Sequence, residues 1–164
     1  MTGDAYLNLL TVLGQHDIRH HITIPAPLDD PLQLLFVDAE RLQISERFNV
    51  MLRIVDVESA LRARPLADST LSTELTIAVT DATAPWNEGT YRLQAAEGRL
   101  LVERTQAAAE LRLDAKVLAP VFNGYVTPSR AAGAGLLQAE SADALRRADA
   151  VFDVTHPPYF PDTY

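Results

Sequence analysis

A chain of 164 residues makes about one domain and is long enough to bury a real core. With 48% hydrophobic and 22% charged residues it has the balance of a folded protein, and its lack of cysteine excludes disulfides, thiolate zinc sites and cysteine nucleophiles. A net charge of −8 repels nucleic acid and anionic membrane, favours a cationic ligand such as an amine, and otherwise serves solubility.

The start, Met1-Thr2-Gly3-Asp4, lacks the basic residues and apolar run of a secretory signal. No apolar stretch reaches the roughly 20 residues that span a bilayer. With the missing cysteines, these features predict a soluble, cytoplasmic protein. Tyr6, Leu7, Leu9, Leu10 and Leu13 lie close to a helical stripe and predict a helix over residues 4–13, with Asp4 as N-cap and Gly14 at its end. Residues 20–24 read as a short strand stopped by Pro25 and Pro27. Asp29-Asp30-Pro31 is a helix start: an acidic cap, then proline in the first turn, where its missing N–H costs nothing. Leu32, Leu35 and Phe36 continue the apolar face of that helix. The pattern weakens over residues 43–48, which places a boundary there.

Beyond Asn49 the character changes. Residues 51–55 form a β-rich run, and Asp56 caps a helix over 57–64 that Pro65 stops. Residues 74–80 alternate, with Leu75, Ile77 and Val79 on one face. Residues 90–95 and 99–104 flank the tight-turn pair Glu97-Gly98 and read as a β-hairpin. Residues 110–114 are a short strand with Leu111 and Leu113 facing one side. Helices follow over 115–122, 129–134 and 142–152, with Ser129 and Ser141 as N-caps rather than nucleophiles. Strands clustered in mid-chain, with helices at both ends, predict an α+β fold of about five strands rather than a doubly wound parallel sheet.

Several stretches, taken in order, carry a resemblance. Asp29-Asp30-Pro31-Leu32 is followed by Arg53-Ile54-Val55-Asp56-Val57, Ala60-Leu61, Asp81, Pro85-Trp86-Asn87, Gly89 and Tyr91-Arg92-Leu93. Then come Leu113-Asp114, Leu118-Ala119, Asn123-Gly124-Tyr125 and Ala134-Gly135-Leu136-Leu137. Ala144-Leu145, Phe152 and the run from Pro157-Pro158-Tyr159 to Tyr164 complete the set. No single piece is specific. The ordered set resembles the C-terminal region of the enhanced intracellular survival family of acetyltransferases, over nearly the whole chain.

The resemblance implies a three-part enzyme: an N-terminal GNAT domain that binds acetyl-CoA, a central GNAT-like region, and a C-terminal domain of the sterol-carrier-protein fold. Residues 1–47 are then a remnant of the end of the central region, and residues 48–164 the sterol-carrier-like domain. That domain is expected to be a mostly antiparallel sheet covered by helices, preceded by a short helix–strand–helix segment. Its implied partners are the GNAT domain of the same protein, a cationic amine substrate and further copies of the chain in a homo-oligomer.

The tail, residues 156–164, is unusual for a chain end, since three aromatics and three prolines replace the frayed polar residues common there. Either it packs against the domain or, as the resemblance implies, its last aromatic inserts toward an active site. There the terminal α-carboxylate would serve as general base, given a raised pKa or a relay through water. Tyr164 is thus the catalytic candidate; the family's usual end residue is Phe, and Tyr164 keeps the ring and the carboxylate. Trp86, Tyr159 and Phe160 are the candidate substrate-binding residues, the alternative for Trp86 being a turn anchored by a buried indole.

No basic, glycine-rich loop is present to cradle the pyrophosphate of coenzyme A. Gly133-Ala134-Gly135 lacks the basic residue and the preceding strand, and reads as a helix end. No cofactor is therefore expected on this chain, and acetyl-CoA belongs to the full-length enzyme. His20 and His21 would face opposite sides of a strand and share no metal, so no metal site is expected. Asp29 and Asp30 read as a helix start rather than a catalytic carboxylate pair. Two other functions stay open. One is a lipid or acyl-chain module, with Leu75, Ile77, Val79, Leu111, Leu113, Val121 and Phe122 lining a tunnel; a filled core uses the same residues. The other is a structural domain assembling oligomers through its sheet edge.

Overall fold

A computed structural model of the chain describes residues 2–15, 21–38, 40, 42–45 and 51–160. The first helix, α1 (Gly3–Gly14), takes Thr2 as its N-cap, whose side chain accepts from the Ala5 N–H at 3.4 Å. Asp4 is therefore not the cap. It lies in the first turn, where a carboxylate meets the positive end of the helix. None of the apolar stripe of α1 is buried. Residues 21–24 form no strand, which corrects the helix–strand–helix expectation for this segment; His20, like His16, lies outside the described residues. Helix α2 (Leu32–Leu35) is a single turn, and its Leu32 N–H donates to Asp30 Oδ1 at 2.8 Å. Asp30 also accepts from the Tyr6 hydroxyl at 2.5 Å, tying α1 to this turn. That bond and the carboxylate's charge push the Tyr6 phenol up to about 12. The expected boundary at 47/48 falls outside the described residues.

The sheet is built from β1 (Thr73–Thr80), β2 (Gly89–Ala96), β3 (Arg99–Thr105), β4 (Leu111–Asp114) and β5 (Leu137–Ala139), in the spatial order β3-β2-β1-β4-β5. Three of its pairings are antiparallel, and β1 with β4 is parallel, Ile77 lying opposite Leu111 and Val79 opposite Leu113. The β2–β3 hairpin turns through Glu97 and Gly98, both at positive φ (51° and 73°), the geometry of a two-residue turn that matches strand twist. Residues 51–55 are not a strand; the fifth strand is the three-residue β5, which sequence periodicity is too short to show.

Alternation places Leu75, Ile77, Val79, Tyr91, Leu93, Leu111 and Leu113 on one face, all buried. Helices α3 (Val57–Ala63), α4 (Ala115–Phe122), α5 (Pro128–Gly133) and α6 (Ala142–Val151) supply the rest of that core through Val57, Leu61, Leu118, Val121, Ala131, Ala144, Ala148 and Val151. Asp56 caps α3 by accepting from Ser59 N–H at 2.9 Å, and Ser141 caps α6 through Ala144 N–H at 3.0 Å. Helix α5 starts two residues earlier than a Ser129 cap implies. Thr127 is its cap, and Ser129 instead bonds the Asp149 carboxylate on α6 with both N–H and hydroxyl. The result is an α+β domain with one layer of helices on one face of a mixed sheet.

Candidate functional site

Three places bear on function: a polar knot at the start of α3, the root of the C-terminal tail, and the interior between sheet and helices. The knot forms where β1 ends. Asp81, 2% exposed, accepts from Arg53 Nη2 at 2.7 and 3.0 Å, from the Thr83 and Ala84 N–H groups at 3.1 and 3.0 Å, and from Asn87 Nδ2 at 3.0 Å. These donors favour the ionised form and hold the Asp81 carboxyl well below the usual carboxylate range, the Asn87 bond foremost. Asn87 is itself buried, and its Oδ1 accepts the Val57 N–H at 3.0 Å, satisfying a donor at the start of α3. Its carbonyl accepts from the Tyr91 hydroxyl at 2.7 Å. Arg104 closes the knot from β3: it donates to Tyr91 Oη at 2.9 Å, to Glu88 O at 3.0 Å and to Trp86 O, and stacks over the Tyr91 ring at 5.0 Å.

Trp86 lies on the short 3₁₀ turn Pro85–Asn87, but the buried member of that turn is Asn87. The Trp86 ring is 61% exposed, with its indole N–H donating to Val55 O at 2.8 Å. The expectation of a buried indole is thus corrected: the ring anchors residues 51–55 through one hydrogen bond and presents its face outward.

At the tail root the organiser is Arg64, a residue that sequence reading did not single out. It stands at the C-terminal end of α3, 5% exposed, and its guanidinium donates to five main-chain carbonyls. Phe122 O at the end of α4 accepts at 3.0 Å, and Val151 O and Phe152 O at the end of α6 at 2.8 Å each. Asp153 O, the first residue beyond, accepts at 2.9 Å, and Pro65 O at 3.2 Å. The rings of Phe122 and Phe152 flank the guanidinium at 6.0 and 5.4 Å. Burial draws the Arg64 pKa down, opposed by the charge of Asp153, and two helix C-termini with partial negative charge also face the cation. One residue later Val154 packs under Gly124, which sits at φ +80° after α4. The tail then brings His156 Nδ1 to 3.8 Å from Asp29 Oδ2. Tyr159 and Phe160 follow, 44% and 41% exposed. Tyr164 lies outside the described residues.

The space between the sheet and helices α4–α6 is filled. The space among Ile77, Leu111, Leu113, Leu118, Val121 and Phe152 amounts to about 10 Å³, against the roughly 300–1,000 Å³ of a ligand cavity. Gly133 ends α5 and Gly135, at φ +74°, donates to Ala132 O at 2.9 Å, so this glycine pair forms a helix C-terminus and presents no cradle of N–H groups. Both sheet edges are blunted. On β3 the Arg62 guanidinium takes Val102 O at 3.0 and 2.8 Å, and β5 is only three residues long. Among the described residues no three His, Asp or Glu side chains gather as metal ligands, and no helix is long and apolar enough to cross a membrane.

Comparison with known proteins adds the wider setting. A family model described as a sterol carrier protein domain matches residues 57–161. The chain is similar to the N-acetyltransferase Eis of Mycobacterium tuberculosis, with 31% identity over 153 residues, which make up 93% of this chain and 37% of that protein. It is similar in structure to Eis1 from Mycobacterium abscessus, with a TM-score of 0.81 and 33% identity over 99% of this chain and 41% of that one. A GCN5-related N-acetyltransferase from Anabaena variabilis matches with a TM-score of 0.71 and 32% identity, over 80% of this chain and 33% of its own. The chain therefore spans about two fifths or less of the acetyltransferases it matches.

Proposed function

This chain belongs to the sterol carrier protein domain family, and from that premise we propose that it is the C-terminal, non-cofactor-binding domain of an Eis-like N-acetyltransferase. The observation that carries the reading is its match to one end-to-end portion of longer acetyltransferases, 99% of this chain against 41% of the Mycobacterium abscessus protein. A physical feature supports it. Among the described residues, fourteen of the twenty exposed large apolar side chains lie at or before Val55, from Leu7 and Leu9 on α1 to Met51 and Leu52. Apolar surface so concentrated on one segment is the mark of a partner surface, and the acetyl-CoA-binding GNAT portion is the partner this reading assigns to it. The filled space around Ile77, Leu111, Leu113 and Val121 argues against a lipid tunnel along those residues.

In this role the domain shapes the amine site and its tail supplies the base. The amine enters as an ammonium ion, attracted by a chain of net charge −8. The Tyr164 terminal carboxylate takes its proton, directly or through water, and the freed nitrogen attacks the thioester carbonyl of acetyl-CoA held by the partner domain. As the C–S bond breaks, the proton the nitrogen must still lose passes to the departing thiolate, and coenzyme A would leave as the thiol. Trp86, Tyr159 and Phe160 offer exposed aromatic faces for the amine's apolar portions.

The test replaces the matching portion of the Mycobacterium abscessus protein with this chain and measures acetyl transfer to a polyamine. Deleting Tyr164, or moving the carboxylate by one appended glycine, is expected to lower kcat by about 10²-fold or more while leaving the KM for acetyl-CoA unchanged. An unchanged kcat would remove the carboxylate from the mechanism.

A further inference from the structure

The tail leaves the domain at a point that is held by two consecutive residues. Asp153 is fixed through its carbonyl, which shares the Arg64 guanidinium with Phe122 O, Val151 O and Phe152 O. Val154 is fixed by shape: a Cβ on Gly124 would stand 2.4 Å from Val154 Cγ2 and 2.5 Å from Cγ1, so only glycine lets the side chain seat there. A guanidinium carries five N–H donors spread over three nitrogens, enough for the five carbonyls around Arg64, whereas a lysine ammonium has three on one nitrogen. Nothing in the helices requires this. The carbonyls ending α4 and α6 would ordinarily be met by water, a surface lysine or their own last turn.

We propose that Arg64 and Gly124 are positioning residues that set the direction in which the C-terminal tail departs from the fold, and hence where its aromatic end arrives. The functional part of this inference rests on the reading that the tail's carboxylate works in acetyl transfer; the structural part does not. Beyond Val154 the exit is followed by Pro157 and Pro158, which stiffen the path, so an error at the root is carried outward along the tail.

The chain has no cysteine, so a pair introduced at Gln94 and Tyr159 can carry spin labels without background. Distances between them are measured by pulsed electron resonance in the full chain, with Arg64→Lys and Gly124→Ala as variants and thermal melting to show that each is folded. Both variants are expected to broaden or shift the distance distribution relative to the parent pair. In the chimera described above, both are expected to lower kcat about tenfold or more with KM values for acetyl-CoA and polyamine within about twofold, since misplacement of a catalytic group costs rate rather than binding. Unaltered distance distributions in both folded variants would overturn the proposal. Altered distributions with an unchanged kcat would uphold the positioning role and overturn the carboxylate's role in catalysis. Gly124→Ala, which leaves the buried guanidinium in place, carries the test if Arg64→Lys does not fold.

Discussion

Asp81 and Arg64 are two buried ions with opposite solutions. Asp81 gathers donors from Arg53, Asn87 and two main-chain amides, while Arg64 bonds only to main-chain carbonyls and takes its counter-charge from Asp153 and from helix termini. The Asp81 carboxyl is held below its ordinary value of 3.8, so the stability it contributes is complete above that value and lost as pH falls through the lower folded pKa. Comparing melting curves of the parent chain and Asp81→Asn checks this: the variant is expected to melt lower at pH 7, with the gap closing below about pH 4. A gap independent of pH would mean that shape rather than charge sets the role of Asp81. Arg64→Met is expected to cost about 3 kcal/mol or more in denaturant unfolding, because several buried carbonyls lose their donor together. Neither role was legible beforehand. Asp81 stood out by resemblance alone, and an arginine before Pro65 reads as an ordinary last-turn cation.

At the level of elements, periodicity found what packs and missed what is merely held. The alternation of β1, the hairpin turn at Glu97-Gly98 and the capped starts of α3 and α6 were all visible, because each is set by local chemistry. Residues 51–55 look like a strand yet are fixed by side chains, with Trp86 Nε1 on Val55 O and Asn87 Nδ2 facing Ile54 O. No short-range pattern encodes such a long-range tether. Strand β5 was missed for the opposite reason: three residues give no period, and its pairing with β4 defines it. The Glu97 conformation invites a direct test. A non-glycine residue at φ 51° is strained where Asn is at ease, so Glu97→Asn is expected to stabilise the chain by about 0.5–1 kcal/mol, read as a higher melting temperature. In the core, Leu118→Ala is expected to cost about 2–5 kcal/mol, since Leu118 is fully buried in a layer with no spare volume.

For the molecule as a whole, two surfaces differ sharply in character. From Val57 onward the chain closes a dense core and leaves few large apolar side chains outside, whereas most of the large apolar side chains described before Ile54 are exposed. The helical stripe of α1 was readable in sequence, but its partner was not, because none of the described residues buries it. The tail is held at its root by Arg64 and Gly124, a long-range tether that no local pattern encodes, and Tyr164 lies outside the described residues. The central claim is that this domain works only beside an acetyl-CoA-binding portion. Acetyl transfer from acetyl-CoA to a polyamine, measured for the purified chain and for the chimera that joins it to the Mycobacterium abscessus acetyltransferase portion, tests that claim most directly. Transfer is expected from the chimera and none from the chain alone; turnover by the chain alone, or a folded chimera without activity, would overturn the proposed role.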